Sequence, residues 1–207
     1  MHRWRRVARL GSTALVGLLA LAGCSSAGGR VPANRRVAVV GDSITFLSRA
    51  DIAAQLQGEG YDADVVGRIG RTAAEVDADV THASQLAPAV VIFELGTNDV
   101  TRSDRGTGSA ADFERWMSRY IAEFPHSCQI ATTVSSHRPS IKMDRAAREI
   151  NAWLHVHFRH VVEWDSYEWS QRQNGVAIVE PDEVHPNPSG QAALGRLDLA
   201  AAKACLP

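Results

Sequence analysis

Val37-Ala38-Val39-Val40-Gly41-Asp42-Ser43 passes from four consecutive apolar residues into a Gly-Asp-Ser turn, and residues 44–57 then follow with helical period. A strand that is apolar at every position, rather than at alternate ones, is buried on both faces, as in a parallel sheet covered by helices. The same alternation continues along the chain. Residues 63–66, 90–95, 129–134 and 160–164 read as further strands, and residues 72–85, 110–124, 141–158 and 188–204 as helices. This order predicts a three-layer α/β/α sandwich around a five-stranded parallel sheet. Right-handed crossovers put helices on both faces and leave the carboxyl ends of the strands as the expected ligand site. Ser43 follows the first strand, Gly70 the second and Asn98 the third, while Asp182 and His185 occupy the loop between the fifth strand and the last helix.

The pattern fills residues 35–207, a normal length for one domain with a full core, with no internal repeat or low-complexity tract. Ahead of it, residues 1–9 hold Arg3, Arg5, Arg6 and Arg9 and no acid, residues 10–22 form a short apolar run, and Leu21-Ala22-Gly23-Cys24 follows. That layout predicts an export signal over residues 1–23, with an apolar part too short to span a bilayer comfortably. Small residues before a cysteine resemble the bacterial lipobox. Cys24 is therefore expected to be the lipidated first residue of the mature chain, anchored on the extracytoplasmic face of a bacterial cell membrane, each buried methylene adding about 0.8 kcal/mol. Residues 24–34 are rich in Ser, Gly, Ala and Pro and read as a flexible tether.

The full chain has 22 basic and 23 acidic residues; without the four leader arginines the balance is 18 against 23, a net charge of −5. A mildly acidic body with no basic stripe argues against nucleic acid as a partner. Once Cys24 is assigned to lipid, Cys128 and Cys205 remain as an even pair in a compartment that permits disulfides. Two buried free thiols are the alternative, and the bond is the expectation.

Ser43 stands where a helix leaves its first N–H groups unpaired, a position that favours developing negative charge. Asp42 and Ser43 would also serve simply as helix caps, the commonest use of such residues. Gly96-Thr97-Asn98-Asp99 is good loop and N-cap chemistry in its own right, yet after the third strand the Asn98 amide can be aimed at the point faced by the Ser43 N–H. Gly70 alone would be only a turn residue; beside the other two it offers a further N–H donor. In Asp182-Glu183-Val184-His185 an aspartate three positions before a histidine can meet Nδ1 and leave Nε2 free to take a proton from a serine.

These blocks resemble those of the SGNH hydrolases in the GDSL esterase/lipase superfamily: Gly41-Asp42-Ser43-Ile44, Gly70, Gly96-Thr97-Asn98-Asp99 and Asp182-Glu183-Val184-His185-Pro186-Asn187, in order and spacing. The resemblance covers essentially all of residues 35–204 and implies a flavodoxin-like fold and acyl-enzyme chemistry. Carried over, Ser43 is the nucleophile, His185 the general base and then acid, and Asp182 the residue that orients it. Ser43, Gly70 and Asn98 would form the oxyanion hole, with no metal or organic cofactor. The family often has glycine before the valine of the last block, and Glu183 departs from that, putting a charge beside the base.

The expected activity is hydrolysis of an O-acyl ester of a lipid or cell-envelope glycan by a monomeric, membrane-anchored enzyme. An acyltransferase using the same triad on a glycan acceptor, and a non-catalytic envelope-binding lipoprotein, are the rival functions. Arg71, Arg102 and Arg105 are candidates for a cationic substrate rim, against the alternative that they are solvated or paired with neighbours such as Asp104. His155, His157 and His160 do not share a helical face and read as a helix end rather than a metal site. His137-Arg138-Pro139, after the fourth strand near the active edge, could touch substrate, against the favoured reading as a turn.

Overall fold

The computed structural model describes residues 33–138 and 140–206; the expected leader, Cys24 and all but the last two residues of the tether lie outside the described residues. Those two, Ala33 and Asn34, belong to a 3-10 turn that leads into the first strand. Strands β1 (Arg36–Gly41), β2 (Asp62–Gly67), β3 (Val90–Glu94), β4 (Cys128–Thr132) and β5 (His160–Val162) form one sheet. Its order is β2-β1-β3-β4-β5 and every pairing is parallel. β1, which ends at the Gly-Asp-Ser turn, therefore lies between β2, which leads to Gly70, and β3, which leads to Asn98.

The apolar runs have the predicted consequence. On one face Ala38, Val40, Val91, Phe93 and Ala131 pack against α2 (Asp77–Gln85), α4 (Ala110–Glu123) and α5 (Ile141–His157). On the other, Val37, Val39, Val90, Ile92 and Ile130 pack against α1 (Ser43–Gly58) and α7 (Pro188–Cys205). α1 and α7 approach closely enough that a Cβ on Gly195 would lie 2.9 Å from the carbonyl oxygen of Asp51.

Two helices were not legible from periodicity. α3 (Thr97–Asp104) contains one apolar side chain, Val100, and its first residues read as a loop. α6 (Trp164–Gln173) is polar apart from aromatic residues, and it takes up the first part of what reads as a single long loop before α7. The predicted helix over 72–85 divides into a 3-10 turn at Ala73–Val76 and α2. The three histidines after α4 go separate ways: His155 lies 3.6 Å from Glu163, His157 stacks on Trp153, and His160 belongs to β5.

Cys128, at the start of β4, is disulfide-bonded to Cys205, at the end of α7, with Cα atoms 5.8 Å apart and 77 residues between them in sequence. His160 is close to both sulfurs, but neither is a thiolate able to hold an ion. A bond closing a loop of this length restricts the unfolded chain, and its loss should cost about 2–4 kcal/mol. Urea unfolding of the Cys128→Ser, Cys205→Ser double variant should show a lower midpoint than the oxidised protein, and equal midpoints would show that the bond carries no net stability.

Candidate active site

The turn from β1 to α1 is built by Gly41 and Asp42. A Cβ on Gly41 would collide with the Thr45 side chain and with the backbone of Glu94, so only glycine lets β1, β3 and α1 meet there. Asp42 is the N-cap of α1, its Oδ1 accepting from the Ile44 N–H at 3.0 Å. Ser43 is then the first helical residue, with an N–H that has no partner within the helix. Burial pushes the Asp42 carboxyl up to about 7, against the Ile44 hydrogen bond, which lowers it.

His185 reaches this turn from the opposite side. Its Nε2 lies 3.0 Å from Ser43 Oγ and its Nδ1 2.6 Å from Asp182 Oδ2. The other carboxylate oxygen of Asp182 accepts from the backbone N–H groups of Val184 and His185 at 2.9 and 3.0 Å, so one aspartate closes the turn and faces the imidazole. Partial burial raises the Asp182 carboxyl, but the hydrogen bonds from His185 and Val184 outweigh it and hold the group at about 2. The turn ends where Val179 bridges Pro186 and Asn187 caps α7, with Pro188 in the first turn of the helix as its fixed φ favours.

Gly70 has φ +72, and a Cβ there would meet nothing, so the backbone conformation rather than space calls for glycine. Asn98 is the second residue of α3, not a loop residue, and its Nδ2 donates to the Arg71 carbonyl at 3.0 Å. One N–H of that amide is thereby used to hold the Gly70–Arg71 turn, and the second is left for a ligand. Asp99 fastens the next stretch by accepting from the Ala73 N–H at 3.0 Å, and burial raises its carboxyl to about 6.

The three arginines do not form a free cationic rim. Arg102 pairs with Glu75 at 2.8 Å, and Arg71 lies 3.8 Å from the same carboxylate. Asp104, the expected partner, instead accepts from Ser140 Oγ at 2.5 Å. Arg105 closes α3 and is exposed, with no ion pair among the described residues.

Arg138, which the sequence places in a turn near the active edge, is 9 % exposed and donates to the carbonyls of Ser135 at 3.1 Å and Glu183 at 2.7 Å. Its place beyond β4 was the signal for it; the bond to Glu183 was not legible. A cavity of about 560 Å³ is lined by Glu168, Arg172, Val176, Ile178, Glu183 and Asn187. Ser43, Gly70, Asn98 and His185 are not among the residues that line it, so its size does not make it the reacting site.

A family model of the GDSL-like lipase/acylhydrolase family matches residues 39–193, and the chain belongs to that family of serine ester hydrolases. Comparison with curated proteins finds no match. Among solved structures, the fold is similar to an acetylxylan esterase from Geobacillus stearothermophilus, at TM-score 0.69 and 19% identity over 81% of this chain and 94% of that one. It is also similar to an alpha/beta hydrolase enzyme from the metagenome of Lake Arreo, Spain, at TM-score 0.67 and 20% identity over 84% and 96% of the two chains. A third similar structure is the lipase/acylhydrolase from Enterococcus faecalis, at TM-score 0.66 and 19% identity over 84% and 97%.

The raised Asp42 carboxyl has a measurable consequence. The folded state keeps its proton between the unfolded value of 3.8 and about 7, while the unfolded chain releases it, so stability from this group falls as pH rises through that window. Asp42→Asn keeps an N-cap oxygen and cannot ionise. Urea unfolding should show the variant gaining on the wild type between pH 4 and pH 8; a gap that stays constant would mean that Asp42 is ionised throughout.

Proposed function

We propose that this ester hydrolase cleaves O-acyl esters of a lipid or cell-envelope glycan, with Ser43 as nucleophile, His185 as general base and then acid, and Asp182 orienting the imidazole. The observation that carries the assignment is the hydrogen-bonded line from Asp182 through His185 to Ser43, at 2.6 and 3.0 Å, inside a family match that spans all three positions. Ser43 Oγ attacks the ester carbonyl carbon as its proton passes to His185 Nε2. The oxygen that becomes negative is met by the N–H groups of Ser43 and Gly70 and by the free N–H of Asn98. Collapse breaks the bond to the alcohol, which leaves with the proton from His185. A water, deprotonated by the same nitrogen, then releases the acid and restores Ser43. Asp182, held at about 2, stays ionised through the cycle and stabilises the imidazolium.

Location narrows the substrate. The arginine-rich leader and Cys24 support an exported, lipid-anchored protein, and esters of envelope lipids and glycans are what such a protein meets. The residues of the tether between Cys24 and the domain would let the site reach away from the surface.

A serine-directed fluorophosphonate should label Ser43 alone, and Ser43→Ala should abolish labelling and lower hydrolysis of a short aryl ester by about three or more orders of magnitude. Near-normal hydrolysis by the variant would show that another residue is the nucleophile. For the anchor, Cys24→Ala should move the protein from the membrane fraction to the soluble one with its activity kept; a variant that still sediments with membranes would mean that no lipid on Cys24 holds it.

A further inference from the structure

Glu183 sits between Asp182 and His185 with φ +59, a left-handed backbone that a glycine adopts freely and a glutamate resists. The turn that carries it has little burial to hold it there: Glu180, Pro181 and Asp182 are exposed, and Glu180, Pro181 and Glu183 line the 560 Å³ cavity. Polar contacts hold it instead. The Glu183 N–H donates to the Glu180 carbonyl at 2.9 Å, its own carbonyl accepts from Arg138 Nη1 at 2.7 Å, and its carboxylate is paired with Arg172.

Both arginines are themselves rooted. Arg138 ends a segment in which the N–H and the carbonyl of Val134 bond the Asn151 side chain, each at 2.8 Å. Ser136 adds bonds from its N–H and Oγ to Asp165, at 2.7 and 2.9 Å. Arg172 stands on α6, the helix that also supplies Asp165. Contacts rooted in α5 and α6 thus reach residue 183 from two directions, one on its backbone and one on its side chain.

We propose that Arg138 and Arg172 are positioning residues that clamp residue 183 in its left-handed conformation and so set His185 Nε2 against Ser43 Oγ. The inference rests on the assignment of Ser43 and His185 as the reacting pair. Without the clamp the strained residue relaxes, the Asp182–His185 turn rotates, and the proton acceptor leaves the serine; a displacement of about 1 Å at such a contact can cost about 100-fold in rate. The clamp substitutes for the glycine that would hold this backbone at no strain.

A double-mutant cycle between positions 172 and 183 tests it, using the full-length protein and p-nitrophenyl acetate. Arg172→Ala should lower kcat about tenfold with KM unchanged, and Arg172→Lys, which keeps the ion pair, should recover most of it. In a Glu183→Gly background, Arg172→Ala should change kcat less than about twofold, because glycine needs no clamp. Arg138→Ala should lower kcat further, by about 100-fold, and a failure of this buried variant to fold leaves the cycle at the half-exposed Arg172 intact. A KM effect in place of a kcat effect, an unchanged kcat in Arg172→Ala, or equal losses in both backgrounds would overturn the clamp. Ser43→Ala run beside them separates the two readings: if it stays active the nucleophile assignment has failed, and if it is dead while the cycle is additive only the clamp has.

Discussion

Helices α1 and α7 lie together on one face of the sheet, and their contact brings the two halves of the Asp182–His185–Ser43 line to within a hydrogen bond. Ser43 opens α1, and the turn carrying His185 leads directly into α7, 142 residues later. The backbone at Gly195 passes so close to Asp51 and Ile52 that a side chain there would force the helices apart. Buried Ile52 and Leu56 on α1, with Ala193 and Leu194 on α7, share one core cluster with Val37, Val39 and Ile92 of the sheet. Separation of these helices would draw His185 from Ser43 before any residue of the site itself changed, so apolar packing, which has no direction of its own, is converted here into the alignment of a directional contact.

Beneath that contact the interior is unusually acidic. Asp42, Glu94 and Asp198 are all buried, and Thr45, two residues beyond Ser43, donates to Glu94 at 2.5 Å. Burial raises the carboxyls of both Glu94 and Asp198, which face one another between β3 and α7. A raised carboxyl is more readily kept neutral, which lessens the charge buried between strand and helix. Arg138 is a buried cation among these acids: burial lowers its pKa, and Glu168, Asp165, Asp182 and Asp42 oppose that. The site is therefore held by apolar contact on the side of α1 and α7 and by polar contact on the side of α5 and α6.

Much of this was legible in order of sequence. Apolar runs such as 37–40 and 90–95 must be covered on both faces, and that requirement alone implies parallel strands, crossover helices and a site at their carboxyl ends. Asp182 and His185 could be paired from their spacing, because three positions within one turn suffice for a carboxylate to meet an imidazole. Helices α3 and α6 were illegible, since what holds them is contact with the rest of the fold and not an apolar stripe of their own. The pairing of Arg102 was illegible for a related reason: Glu75 looks unconnected to it until the 3-10 turn and α3 bring them together.

The sequence by itself determined the sheet, the order of the motif residues along its edge and the local Asp–His pair, because each depends on neighbours within a few residues or on burial that any compact fold must provide. Only the tertiary structure decided that Asn98 spends one N–H on the Arg71 carbonyl, that Cys128 meets Cys205, and that Glu183 is left-handed and gripped by Arg138 and Arg172. Those contacts join residues far apart in the chain through directional bonds a few ångströms long, and such distances are set by how helices and strands pack rather than by the order of residues.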